Sequence, residues 1–265
     1  MVQRKNECRR VAVRIAYRGD PFHGSQRQPG LRTVESDILR SLSIISPPDS
    51  PDAELKTASR TDAGVSAAAN VVAFWTSFDD DASLLRALNA TSSDVHFLAI
   101  CGIGEDRNIR YASSRSYRYL MPLEGVDVEA VKSSARLFEG RHDFKNFCKD
   151  DGKDTVETID RIEVGDGDVI CIDIHGRRFL WNMVRRIVAA LEEVGRGRAT
   201  MQDVRMALEG GGFQFGLADP RPLTLRSVDY SDLEFRSFDD PVLRRKLMAA
   251  VHKARTDLEF HRDLL

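Results

Sequence analysis

Residues 9 to 18 read Arg9-Arg10-Val11-Ala12-Val13-Arg14-Ile15-Ala16-Tyr17-Arg18. Val11, Val13, Ile15 and Tyr17 alternate with Arg10, Ala12, Arg14 and Ala16, the period of two that marks a strand with one buried face. Working outward, residues 33–45 set Val34, Ile38, Leu39, Leu42 and Ile45 at helical spacing. Thr33, Glu35, Ser36 and Asp37 are the side chains of a helix start, and Pro47-Pro48 is expected to end the helix. Strands are expected over 54–58 and 70–77, a helix over 80–88 and a strand over 94–101. The order is β-α-β-β-α-β.

The second half repeats it. A strand is expected over 114–121 and a helix over 128–138. Strands over 158–164 and 169–175 flank a Gly165-Asp166-Gly167 turn. A strong helix over 179–194, a shorter one over 201–208 and a closing strand over 223–230 follow. Two split βαβ units in one chain predict an α+β fold of two pseudo-duplicated, ferredoxin-like halves, residues 1–107 and 108–265. Mainly antiparallel sheets are expected, flanked by helices, with a cleft between the two sheets as the natural place for a site. Residues 241–260 read as a helix with Leu243, Leu247, Val251 and Leu258 on a broken apolar stripe, suited to capping a sheet or meeting a partner.

The bulk numbers narrow the class. The chain has 265 residues, 42% hydrophobic and 30% charged, ordinary for a soluble globular protein with a real core. No apolar run approaches the ~18 residues of a membrane span. The polar start, Met1 to Glu7, lacks the apolar stretch of a signal peptide, so the expected location is the cytoplasm. Cys8, Cys101, Cys148 and Cys171 never come in the close pairs of a zinc site and read as free, mostly buried thiols. The net charge is −2, but its distribution is uneven. Residues 105–118 hold four arginines against two acids, and residues 175–198 hold six against two. Residues 150–168 hold eight acids against two basic residues.

Three segments can carry chemistry. Ala58-Ser59-Arg60-Thr61-Asp62-Ala63-Gly64-Val65 crowds small residues round an arginine and an aspartate; taken alone it reads as a turn that Asp62 pins. Ser116-Tyr117-Arg118-Tyr119 puts two tyrosines on one strand face and an arginine on the other, suited to base stacking and phosphate contact. Along residues 179–188, Leu180, Met183, Val184 and Ile187 form a buried stripe with Arg185 and Arg186 at its edges, one placed to reach a cleft and the other solvent. His142 and Cys148 are poorly placed for a thiol–histidine pair, and no phosphate-binding glycine loop is present.

In order along the chain, these segments resemble the tRNA pseudouridine synthase A family. The shared pattern runs from Tyr17-Arg18-Gly19 and Phe22-His23-Gly24-Ser25-Gln26-Arg27-Gln28-Pro29 through Arg60-Thr61-Asp62-Ala63-Gly64-Val65. Arg110, Tyr117-Arg118-Tyr119, Phe138-Glu139-Gly140, His142-Asp143-Phe144, Asn182-Met183-Val184-Arg185-Arg186-Ile187, Leu223 and Leu225 continue it. The resemblance implies that Asp62 is the catalytic carboxylate, that Tyr117 stacks on the target base and that Arg185 pairs with the aspartate. It also implies that Arg60 helps flip the base and that Leu223 lines the pocket, while Arg27, Gln28, Arg110 and Arg186 are expected on the RNA. A homodimer is implied, with no cofactor and no metal, acting on the tRNA anticodon stem-loop at positions 38–40. The chain departs from the family pattern at Ser66 (usually His), Ser25 (often Trp) and Pro222 (often Gly), all beside the implied catalytic set.

The implied reaction breaks the bond from C1′ to N1 of uridine and rejoins C1′ to C5. A carboxylate can serve it by attack at C1′, attack on the base or proton abstraction at C2′, and the residues do not choose among these. A uridine within a stem must first be flipped out at a few kcal/mol, of which stacking on Tyr117 can return ~1–3 kcal/mol. Two other readings stand beside it. A non-catalytic RNA-binding protein on the same scaffold would use the basic and aromatic faces. A hydrolase would need Asp62 and Asp143 within roughly 5–10 Å of each other.

Overall fold

The structure, a computed structural model, describes residues 8–46, 53–152 and 154–264. Nine strands among the described residues form one sheet: β1 (Arg9–Tyr17), β2 (Lys56–Thr57), β3 (Ser66–Thr76), β4 (Val95–Gly102), β5 (Ser114–Met121), β6 (Gly140–Asp143), β7 (Val156–Gly165), β8 (Ile170–Gly176) and β9 (Leu223–Asp229). Six α-helices flank it among the described residues: α1 (Val34–Ile45), α2 (Asp81–Thr91), α3 (Val128–Ala135), α4 (Met183–Gly195), α5 (Met201–Leu208) and α6 (Pro241–Arg262). The α+β class and the mainly antiparallel pairing are as the patterns predict.

The strand order is β4-β1-β3-β9-β5-β8-β7-β6, with β2 paired to β3. The pseudo-duplication is visible in it. β4-β1-β3-β2 in the first half and β9-β5-β8-β7 in the second have the same order, the fourth strand beside the first and the third beside the second. The expectation of two separate sheets is corrected: they are continuous. β9 pairs antiparallel with β5 and parallel with β3, Ser66 opposite Thr224 and Ala67 opposite Leu225. Joining the halves removes two open strand edges, which would otherwise expose unpaired backbone donors and acceptors. It also brings the start of β3 within two strand positions of Tyr117, because Leu225 stands opposite both Ala67 and Tyr117.

The core follows the periodicities. Val11, Val13 and Ile15 are fully buried on β1, and Phe74, Phe97, Phe138, Phe144 and Phe147 are the largest side chains sealed inside. The α1 start is a capping box between Thr33 and Ser36, as the sequence implies. Pro47 and Pro48 lie outside the described residues.

Several elements differ from expectation, among them β3, which starts four residues early at Ser66. α4 begins at Met183, four residues late, because Asn182 takes a left-handed φ of 64° that no helix admits. The freed segment lets Phe179 turn back edge-on to Tyr117, ring centroids 5.1 Å apart. The helix expected over 128–138 tightens into a 3-10 turn at Arg136–Phe138. The strand expected over 54–58 shrinks to Lys56–Thr57, and β6, too short for a periodic signal, was not expected.

After β9 the chain runs along the edge of β4, where Ile100 and Arg236 exchange two backbone bonds of 2.9 Å. This protects an open edge. α6 follows, capped by Asp240 and started by Pro241. Only Leu243 of its residues is buried, and Met248 (64%), Leu258 (51%) and Phe260 (61%) stand in solvent. No helix among the described residues is long and apolar enough to cross a membrane.

Candidate active site

The loop from Ala58 to Val65 leads into β3 and is held from below by groups the chain brings from four places. Ser25, 1% exposed, clasps Thr61 on both sides of its backbone. Its Oγ accepts from the Thr61 amide at 2.8 Å, and its own amide donates to the Thr61 carbonyl at 3.0 Å. The Tyr17 hydroxyl and Thr61 Oγ1 share a hydrogen bond of 2.8 Å. Asn70, fully buried inside β3, donates from Nδ2 to the Ser59 carbonyl at 2.8 Å and to the Tyr17 hydroxyl at 3.3 Å. Gly19 crosses the loop so closely that a Cβ there would lie 2.3 Å from the Gly64 carbonyl carbon. The turn closes through Gly64, whose φ of +83° is open to glycine at no steric cost, with the Val65 amide donating to the Asp62 carbonyl at 3.1 Å.

Asp62 projects from this braced loop, its side chain 30% exposed. The first turn of α4 supplies its partner. Arg185 Nη1 donates to Asp62 Oδ2 at 3.0 Å, with the arginine side chain only 13% exposed. The guanidinium is itself aimed: its Nε donates to the Ala218 carbonyl at 2.8 Å, and the Ala218 amide donates back to the Arg185 carbonyl at 3.2 Å. A charged pair this shielded is oriented more firmly than a surface pair, because solvent does not compete for both partners.

Tyr117 forms the second wall. It is 8% exposed, braced edge-on by Phe179, and stands beside Leu225 of β9. Burial holds its phenol well above the usual range, against the nearby Arg115 charge that lowers it, and the Asp62 charge raises it further. The ring is therefore a neutral, fixed aromatic surface near the carboxylate. Leu223, 3% exposed, begins β9 opposite Tyr119, after a turn in which Pro220 fills the space that a Cβ on Gly64 would enter. Asp62, Tyr117 and Arg185, far apart in sequence, are thus gathered where the two halves join.

The other predicted residues divide. Arg60 and Arg110 are exposed, with no side-chain partner among the described residues, and so is Arg27. Gln28 is exposed but turned back, its Nε2 donating to the His23 carbonyl at 2.7 Å. Arg186 is half-buried. It leans on the Phe215 carbonyl at 3.4 Å, and its Nε is buried without a hydrogen-bond partner among the described residues. Arg118 forms a bidentate pair with Asp173 at 2.8 and 2.6 Å.

Arg115 was counted in the basic segment but not singled out. It is 8% exposed and meets no carboxylate among the described residues. Its donors go to Ser59 Oγ at 2.7 Å and to the carbonyls of Arg177 at 2.5 Å, Arg110 at 2.9 Å and Ala58 at 3.3 Å. Burial draws its pKa down. Asn70 was also missed, although a buried-strand position occupied by an asparagine is a signal, since the residue is disfavoured there unless its amide is used.

Asp143 does not join the site. It is exposed on β6, five strand positions from β3, and accepts from Thr155 Oγ1 at 2.6 Å. At ~4.8 Å per strand that separation is about 24 Å, which removes the two-carboxylate hydrolase. The four cysteines are free, and burial raises the Cys101 thiol to about 11.

Comparison with known proteins identifies the family. A family model described as tRNA pseudouridine synthase matches residues 134–231. The tRNA pseudouridine synthase A of Pyrococcus abyssi is 44% identical over 241 residues, 89% of this chain and 90% of the relative. The tRNA pseudouridine synthase A of Pyrococcus horikoshii is 42% identical over 255 residues, 94% of this chain and 92% of the relative. That of Methanosarcina mazei is 40% identical over 84% of this chain and 85% of the relative. Identity at this level along nearly the whole of both chains shows that this protein belongs to the tRNA pseudouridine synthase A family of isomerases.

Proposed function

We propose that this enzyme isomerises uridine to pseudouridine in the anticodon stem-loop of tRNA, at positions 38–40, with Asp62 as the catalytic carboxylate. The observation that carries the reading is the Asp62–Arg185 pair, 3.0 Å long and set beside the buried Tyr117 ring. In this reading residues 1–107 supply the carboxylate and residues 108–265 supply the tyrosine and arginine. Arg185 orients Asp62, and Tyr117 receives the flipped base on its face. Leu223 fills the pocket's apolar side, and the unpaired Arg60 compensates the phosphate charge exposed by flipping. Arg27 and Arg110 meet the backbone further out. The carboxylate acts at C1′, on the base or at C2′, and the bond from C1′ to N1 is replaced by one to C5 without net oxidation.

The working form in this reading is a cytoplasmic homodimer. α6 supports it: Met248, Val251, Leu258 and Phe260 stand exposed along it, an apolar surface of the kind that a second copy covers.

Base-resolved pseudouridine mapping of tRNA incubated with the purified protein tests the reading. The wild type should convert one or more of positions 38–40, and Asp62→Asn should convert none while still binding tRNA. Conversion at unchanged rate by Asp62→Asn overturns the role of the carboxylate. Conversion elsewhere overturns the assigned target. An active-site fold that binds tRNA without converting any uridine would leave the RNA-binding alternative.

A further inference from the structure

Away from Asp62, the surface holds a concavity of about 360 Å³, within the ~300–1,000 Å³ of ligand-sized pockets. Arg107, Tyr111, Ser113, Arg177 and Asp232 line it. Two features of its lining are unexplained by folding. Tyr111 is 70% exposed, although its neighbours Ile109 and Ala112 are 1% and 3% exposed and fix its backbone. Its ring packs against no other ring among the described residues. Arg177 is exposed and its side chain has no partner among the described residues. Arg107, by contrast, is committed: it pairs with Asp232 at 2.8 Å and lies over the Tyr230 ring, so Asp232 is neutralised within the wall.

The place of this concavity is set by Arg115. One buried guanidinium holds the carbonyls of Arg110 and Arg177 on one side and Ala58 with Ser59 on the other. The segments that present Arg110, Tyr111 and Arg177 are therefore fastened directly to the segment that presents Arg60 and Asp62. An open aromatic face flanked by uncommitted arginines is the combination that takes an unpaired nucleotide, with the base on the ring and the phosphate on the guanidinium.

We propose that this concavity is a second nucleotide subsite, which holds an unpaired nucleotide flanking the target uridine: its base stacks on Tyr111 and its phosphate meets Arg177. The proposal rests on the reading of this protein as an enzyme acting on RNA. The RNA strand then runs from Asp62 across Arg60 to Tyr111. A base held there keeps the flipped uridine from sliding back along the loop.

The test uses the full chain and an anticodon stem-loop RNA carrying 2-aminopurine at each nucleotide flanking the target in turn. With the wild type, fluorescence should be quenched at one flanking position on binding, and Tyr111→Ala should abolish that quench. The Kd of Tyr111→Ala should rise roughly 5- to 150-fold, with Tyr111→Phe close to wild type. Arg177→Ala should lower the slope of log affinity against log salt by about 0.7 to 0.9. Both side chains are exposed, so circular dichroism and melting temperature should not move. Quench, Kd and salt slope all unchanged in Tyr111→Ala and Arg177→Ala overturn the subsite, whatever the activity. Weakened RNA binding in both variants of a protein that makes no pseudouridine upholds the subsite and overturns the function it was built on. Loss of affinity for an acidic peptide, with RNA binding intact, overturns it in favour of a protein partner.

Discussion

Arg185 Nη1 donates to Asp62 Oδ2 at 3.0 Å across 123 positions of sequence, and the same guanidinium is anchored by Nε to the Ala218 carbonyl at 2.8 Å. The arginine thus has two duties, and one substitution separates them. Arg185→Lys keeps a positive charge but has no fork with which to hold carbonyl and carboxylate together. It should retain tRNA binding and lose at least about 100-fold in turnover, the scale of a misplacement of about 1 Å. Arg185→Ala should lose the turnover and also roughly 1.5–3 kcal/mol of stability, the value of a hydrogen bond to a charged group. Single-turnover tritium release from 5-labelled uridine reads the first, and urea denaturation the second. Full turnover in Arg185→Lys would show that charge alone suffices.

Gly19 offers a way to disturb the Asp62 loop from outside it. A Cβ at this position would lie 2.3 Å from the carbonyl carbon and oxygen of Gly64, so backbone must move. Gly19→Ala should therefore cut turnover by tenfold or more, on the same misplacement scale. Gly102→Ala, where nothing lies within 4 Å, is the control and should be active. Equal rates in the two variants would mean that the loop does not transmit the displacement to Asp62.

Arg115 is predicted to be a positioning residue. Arg115→Met strands Ser59 Oγ and three carbonyls, each costing ~1–3 kcal/mol where water cannot replace the donor. The expected loss is at least about 3 kcal/mol, a fall of roughly 6–12 °C in Tm for a domain of this size. Arg115→Lys should fall between. An unchanged melting curve in Arg115→Met would remove the hub role.

The buried tyrosines predict an alkaline limit. Burial raises Tyr17 and Tyr117 above their usual value, and Tyr119 to about 12. As pH rises past about 10 the unfolded chain loses these phenolic protons before the folded one does. The native state then binds more protons, so stability is full below about pH 10 and falls as pH rises, by up to ~1.4 kcal/mol per pH unit for each tyrosine. Urea midpoints measured from pH 8 to 12, with tyrosinate absorbance followed alongside, should show ionisation of these residues only with unfolding. Early ionisation at constant stability would contradict it.

The proposed homodimer predicts an interface on α6. Leu258→Glu and Val251→Glu place carboxylates on an exposed apolar face and should shift sedimentation equilibrium toward monomer while leaving the monomer folded. A wild type that sediments as a monomer, or variants that remain dimeric, would place the interface elsewhere.

The local chemistry of the chain determined a good deal by itself. Strand and helix patterns are properties of a few neighbouring residues, so β1, α1, α5 and the repeated β-α-β-β-α-β order were legible, and the capping box of α1 was written in Thr33 and Ser36. The motif containing Asp62 was legible as a motif, but its isolated chemistry was that of a turn. The tertiary structure decided the rest. Only the parallel pairing of β3 with β9 turns two half-sheets into one and brings Ala67 within two strands of Tyr117. Only packing gives Arg185 to Asp62 and Arg186 to the Phe215 carbonyl, although the two arginines are neighbours in sequence. Only burial turns Arg115 from one basic residue among several into the clamp that joins the Asp62 loop to the Tyr111 surface. The physical reason is the same in each case. Local propensity acts through bonds and nearest neighbours, whereas partner choice, burial and desolvation depend on which distant segments the continuous sheet places side by side.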